Sequence, residues 1–139
     1  MDQLPEDFAS ALNRSRDGLA EAIGLMFVSA TADEVVAEEV SERHRKADGT
    51  VDEAFYCLLV QTTASVGAAL YALRWKMPVV GLDSQTSFLR TVRSGRIQVT
   101  ATPLLRDRDT QVWEGRVTDR DGHLVATGPL RLMGLEEDL

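Results

Sequence analysis

The stretch Ala54–Leu73, AFYCLLVQTTASVGAALYAL, decides how this 139-residue chain reads. Twenty consecutive residues without Asp, Glu, Lys or Arg are long enough to cross a bilayer as a helix. Their composition points elsewhere, because Gln61, Thr62, Thr63, Ser65 and Gly67 sit among small alanines. Asp52 and Glu53 precede the stretch, and Arg74 and Lys76 follow it. That order complements a helix dipole, with negative charge at the N-terminus and positive at the C-terminus. The reading is a helix buried nearly all round by protein, as expected for a helix apolar on every face in a soluble domain. Gln61 then becomes the residue to explain. A buried amide left unpaired costs about 1–3 kcal/mol, so Gln61 needs either a protein partner or a ligand.

Outward from this helix, the upstream chain divides in three. Phe8, Leu12, Leu19, Ala20 and Ile23 recur at helical spacing between Pro5 and Gly24, predicting an amphipathic helix. Leu25–Ser29 and Glu34–Val40 read as extended, and 41–52 is a polar connection broken at Gly49. Downstream, Val79–Leu89 is extended and Arg93-Ser94-Gly95 forms a turn. Ile97, Val99 and Ala101 then alternate with polar residues as a half-buried strand does. Pro103 marks an edge or bulge. Polar loops at 106–109 and 119–122 join strands at 110–118 and 124–132, with Gly122 supplying a positive φ. The four strands after the helix make an antiparallel sheet of about five in all, curved around one face of the helix. The uncovered face and the sheet edges call for a partner, most economically a twofold homodimer.

The bulk numbers fit one domain, residues 1–139, with an N-terminal helix over 1–23 and a core over 24–139. A net charge of −7 excludes general attraction to nucleic acid or an anionic membrane. Arg90, Arg93, Arg96, Arg106 and Arg108 nevertheless form a basic stretch able to draw a phosphate. Cys57 has no partner for an internal disulfide and reads as a small hydrophobe in the helix. Two distant histidines provide no metal-ligand pattern, and nothing suggests a cofactor. The acidic start, Asp2, Glu6 and Asp7, resembles no targeting signal, so a cytoplasmic location is expected.

Several segments resemble the hotdog-fold acyl-CoA thioesterases of the phenylacetate-degradation and 4-hydroxybenzoyl-CoA type. They are His44 with Gly49-Thr50-Val51, Val80-Gly81-Leu82-Asp83 through Arg90, Arg93-Ser94-Gly95-Arg96, and Thr110-Gln111-Val112-Trp113 before Asp121-Gly122. The resemblance implies an α+β hotdog fold, a curved antiparallel sheet wrapped around a long central helix. It also implies an acyl-CoA or acyl-carrier ligand and a homodimer, with a dimer of dimers as the larger assembly.

The same resemblance assigns site positions and shows them altered. The family's Asn position is Lys46, its His-Gly-Gly is Asp52-Glu53-Ala54, and its working carboxylate is Gln61. An amide can orient water but cannot deprotonate it, and general-base help is worth about 10²- to 10⁴-fold. The candidate catalytic residues are therefore Gln61 with Asp52 and Glu53 as substitute carboxylates. His44, Lys46, Ala54, Ser65, Arg93, Ser94 and Arg96 are candidates for substrate binding. Two readings follow. One is a thioesterase with a degenerate active site; the other is a non-catalytic binding module for acyl thioesters or small apolar ligands, or an oligomeric scaffold. For Asp52 and Glu53 the plain alternative is complementing the helix dipole, and for Gln61 it is a hydrogen bond across a dimer interface.

Overall fold

The computed structural model describes residues 5–15, 21–22, 24–39, 45–93 and 95–136. Helix α1 (Ala9–Arg14) precedes strands β1 (Leu25–Ala30) and β2 (Val35–Glu39). The central helix α2 (Glu53–Ala72) continues into a 3-10 turn at Leu73–Trp75. Strands β3 (Val79–Ser84), β4 (Ser87–Phe88), β5 (Ile97–Arg106), β6 (Thr110–Thr118) and β7 (Leu124–Gly134) complete the chain. The seven-stranded sheet runs β1-β2-β5-β6-β7-β3, with β4 also paired to β7, and every pairing is antiparallel. One helix packed into such a sheet is the expected hotdog architecture.

Seven strands replace the expected five. Part of the excess arises where Val79–Leu89 divides at Gln85 and Thr86. The Gln85 backbone lies so close to Gly128 that no Cβ fits there. Pro103 satisfies both expectations for it: β5 leaves β2 after Ala101, and its register with β6 shifts between Pro103 and Leu105.

The buried residues of α2 are Phe55, Tyr56, Leu59, Val60, Thr63, Ala64, Gly67, Ala68 and Ala72. Their recurrence at three to four residues defines one face. Within one chain the opposite face, with Ala54, Gln61 and Ala69, is exposed; it is the uncovered face that calls for a partner. Small and apolar residues on that second face hide the amphipathicity from composition. By length and hydropathy the segment Glu53–Trp75 would satisfy a membrane span, but its buried face is spent on the sheet. Gly67 lets α2 approach the Trp113 ring, where a Cβ would collide. Gln111 donates to the Ala68 carbonyl (3.0 Å) and accepts from the Trp113 indole (2.8 Å).

The two sheet edges differ. Asn13 accepts from the Phe27 amide and donates to its carbonyl, each at 2.8 Å. The Asp7 carboxylate bridges the Ala9 and Ala30 amides, and the Phe8 amide donates to Ala30. These bonds cover the β1 edge. They also delay the helix predicted from Pro5 until Ala9; its predicted continuation over 16–20 and Ile23 lies outside the described residues. At the other edge β3 pairs only with β7 among the described residues. Five of its six residues are exposed, including Val80 at 38% and Leu82 at 49%.

Candidate active site at the start of the central helix

The turn before α2 is built from its own polar groups. The Lys46 amide donates to Thr50 (2.7 Å), and Gly49, at φ +88°, closes the turn where a side chain would be strained. Asp48 accepts from both the hydroxyl (2.6 Å) and the amide (3.0 Å) of Thr50. These bonds hold its carboxyl below the usual range, the hydroxyl contributing most and the Lys46 and Arg93 charges less. Val51 donates to the Val92 carbonyl at 2.9 Å, which fastens the turn to the segment carrying Arg90 and Arg93. Lys46, Asp48, Glu53, Tyr56, Arg90 and Arg93 thereby come to line one cleft of about 150 Å³.

Tyr56 was not singled out by the sequence, where it reads as one more member of an apolar helix. Its side chain is 1% exposed, and its ring lies 6.4 Å from that of Phe88. Burial pushes the phenol above its ordinary value; the Val92 amide and the Arg45 charge oppose this, and Glu53 adds to it. The influence of Val92 falls short of a bond, since the hydroxyl has no partner in hydrogen-bonding geometry among the described residues.

Asp52 is the N-cap of α2: its carboxylate accepts from the Ala54 amide at 3.0 Å. The amide that could have polarised a ligand oxygen is therefore engaged by the side chain two residues before it. Asp52 and Ala54 border a second cleft with Arg45, Phe55 and Leu58, about 260 Å³ in volume, whereas Glu53 belongs to the first. The tandem carboxylates thus address two different clefts.

Gln61 lies eight residues beyond Glu53, about 12 Å along a helix axis at 1.5 Å per residue. It is exposed, and its amide nitrogen lies 4.0 Å from where a Cβ on Gly81 would be. One chain therefore does not bring Gln61 against the helix start. Ser65 follows one turn later and is half-buried. Arg96 pairs with Glu38 at 3.2 Å in a separate groove with Gln98 and Arg120. His44 and Ser94 lie outside the described residues. Asp119, Asp121 and His123 gather at the β6–β7 hairpin, where Asp119 accepts from the other two backbone amides at 2.9 Å and so shapes the turn.

Residues 48–126, more than half of the chain and including α2 with the end of the turn before it, match the thioesterase superfamily. The chain belongs to that superfamily. It is 32% identical over 117 residues to a Mycobacterium tuberculosis protein named "Putative esterase Rv1847", covering 82% of this chain and 84% of that one. It is 30% identical over 109 residues to the 1,4-dihydroxy-2-naphthoyl-CoA hydrolase of Listeria monocytogenes, covering 78% and 88%. The solved structure of a thioesterase from Haemophilus influenzae superposes with a TM-score of 0.86 at 26% identity, over 94% of each chain. In this chain the positions that the family resemblance assigns to chemistry hold the amide Gln61 and a helix start capped by Asp52.

Proposed function

We propose that this protein binds an acyl thioester, carried on CoA or on an acyl-carrier protein, at the start of α2. It hydrolyses that ligand slowly, without a general base at residue 61. The observation that carries this reading is the combination of a built cleft, in which three cations outnumber the carboxylates Asp48 and Glu53, with an exposed amide at Gln61. The cleft supports recognition: Lys46, Arg90 and Arg93 suit the anionic end of such a carrier. The amide and the Asp52 cap support a low rate, since one cannot take a proton from water and the other occupies an oxyanion donor.

A homodimer is part of the proposal. The β1 edge is covered by α1, whereas β3 presents an unpaired edge carrying Val80 and Leu82, with Phe88 and Leu89 beside it at 45% and 53% exposure. Pairing β3 with its symmetry mate would extend the sheet, close both edges and bring two α2 faces together. It would also supply the carboxylates that Gln61 lacks within its own chain. A dimer of dimers would add a further contact outside this edge.

The test is steady-state hydrolysis of a panel of acyl-CoAs by the wild type, Gln61→Glu and Glu53→Gln, with binding measured in parallel. Saturable binding, slow turnover and a gain of about 10²- to 10⁴-fold in Gln61→Glu are expected. Glu53→Gln asks whether that residue supplies the remaining base. Absence of both binding and turnover across the panel would leave the scaffold reading, which the exposed α2 face and β3 edge favour.

A further inference from the structure

We infer that the Tyr56 hydroxyl is a positioning group of the α2 cleft, donating a hydrogen bond to an acceptor oxygen of the bound thioester ligand. The inference rests on the proposed function and adds to it a residue that neither spacing nor family resemblance marks.

Three observations meet at this side chain. Tyr56 occupies the buried face of α2, where its neighbours Phe55, Leu59 and Val60 are apolar. Phenylalanine would fill the same space against Phe88, so packing alone does not account for the oxygen. The hydroxyl is buried and lacks a partner among the described residues, a condition that costs folding free energy until an acceptor arrives. Finally, Tyr56 lines the cleft bounded by Lys46, Arg90 and Arg93. At about 150 Å³, that cleft holds roughly five times the liquid volume of one water, enough for a phosphate or an amide group.

The chemistry assigns the direction of the bond. A phenol is protonated at neutral pH, and burial only raises its pKa further, so it serves as a donor of one hydrogen bond. The cleft's three cations outnumber its two carboxylates, Asp48 and Glu53, so an electron-rich oxygen is favoured in it. Two parts of the ligand carry such oxygens: the carrier arm, with its phosphate and amide groups, and the acyl carbonyl. Both present the same acceptor chemistry to the phenol.

The experiment compares wild type with Tyr56→Phe in binding free CoA, an acyl-CoA and the matching S-alkyl-CoA thioether, which lacks the carbonyl. A Kd raised about 3- to 10-fold, the worth of one neutral hydrogen bond, is expected, with thermal stability equal or higher. Weakening for all three ligands assigns the bond to the carrier arm, and weakening for the acyl-CoA alone assigns it to the carbonyl. With only two tyrosines in the chain, ring ¹³C labelling gives an independent readout. The Tyr56 ζ-carbon should shift on ligand addition while Tyr71, near the far end of α2, stays fixed. Unchanged Kd values and an unmoved Tyr56 resonance, in a wild type that binds, would overturn the role of the hydroxyl and leave the proposed function standing. A wild type that binds none of the three would overturn both.

Discussion

The two halves of α2 treat their polar groups differently. Around Gly67 and Ala68 the contact with β6 is closed: Gln111 links the Ala68 carbonyl to the Trp113 indole, and the missing Cβ of Gly67 admits the ring, although the Thr63 hydroxyl one turn earlier is buried without a partner among the described residues. Around residues 52–61 the Tyr56 hydroxyl has no partner among the described residues, Gln61 faces outward, and Asp52 and Glu53 face different clefts. The difference separates an end that holds the fold from an end with groups left for a ligand. Substitutions at the C-terminal half and its contact with β6 should therefore cost stability, whereas those at the N-terminal half should alter binding and rate at little cost to the fold.

The largest effect is expected for Trp113→Ala. Trp113 is fully buried, and its loss creates a cavity while stranding the Gln111 carbonyl. Chemical denaturation at fixed protein concentration should show about 3–5 kcal/mol of destabilisation. Gly67→Ala attacks the same contact by overpacking and should cost about 1–3 kcal/mol. Ligand affinity per folded molecule should hold in both. If Gly67→Ala weakened binding without changing the denaturation midpoint, the division between the halves would fail.

Both the existence of α2 and its partition bear on what the sequence revealed. The charge-free run flanked by Asp52, Glu53, Arg74 and Lys76 was legible because helix dipoles and helix length are local properties. Strands β5, β6 and β7 were legible from alternation and from the turn at Gly122, and β1 and β2 as extended segments. The two faces of α2 were not, since Ala54, Ala69 and Leu73 on the open side are as apolar as Ala64 and Ala68 on the buried one. Only the sheet distinguishes them. Gln61 could be marked through family resemblance, but its neighbour Gly81 and its separation from Glu53 depend on tertiary placement. Tyr56 was concealed for a related reason: a phenol in an apolar helix resembles core until its oxygen is seen to lack a partner.

Asp52→Ala sharpens the comparison because its two consequences have opposite signs. The N-cap bond to Ala54 is lost, which should lower stability by about 1 kcal/mol. The freed Ala54 amide becomes available to a ligand oxygen, so turnover of an acyl-CoA should rise in the less stable protein. A fall in both quantities would instead assign Asp52 a direct part in the reaction.

The smallest effect is a slope rather than a loss, and it concerns Tyr56 alone. The folded state raises its phenol pKa above the ordinary value near 10, chiefly by burial. Below that value the phenol is neutral in both states, and its ionisation adds no pH dependence. As pH rises past 10 the unfolded chain releases the proton first, so it binds fewer protons than the native state and stability declines until the folded pKa is passed. Tyr56→Phe should remove that part of the alkaline decline and leave the curve near neutrality flat or slightly higher, because the variant no longer buries an unpaired hydroxyl. Denaturation midpoints for the two proteins between about pH 8 and pH 11 provide the measurement. Parallel curves would mean that the phenol already ionises as freely in the folded protein as in the unfolded chain, and the start of α2 would then be as open to water around Tyr56 as it is at Gln61.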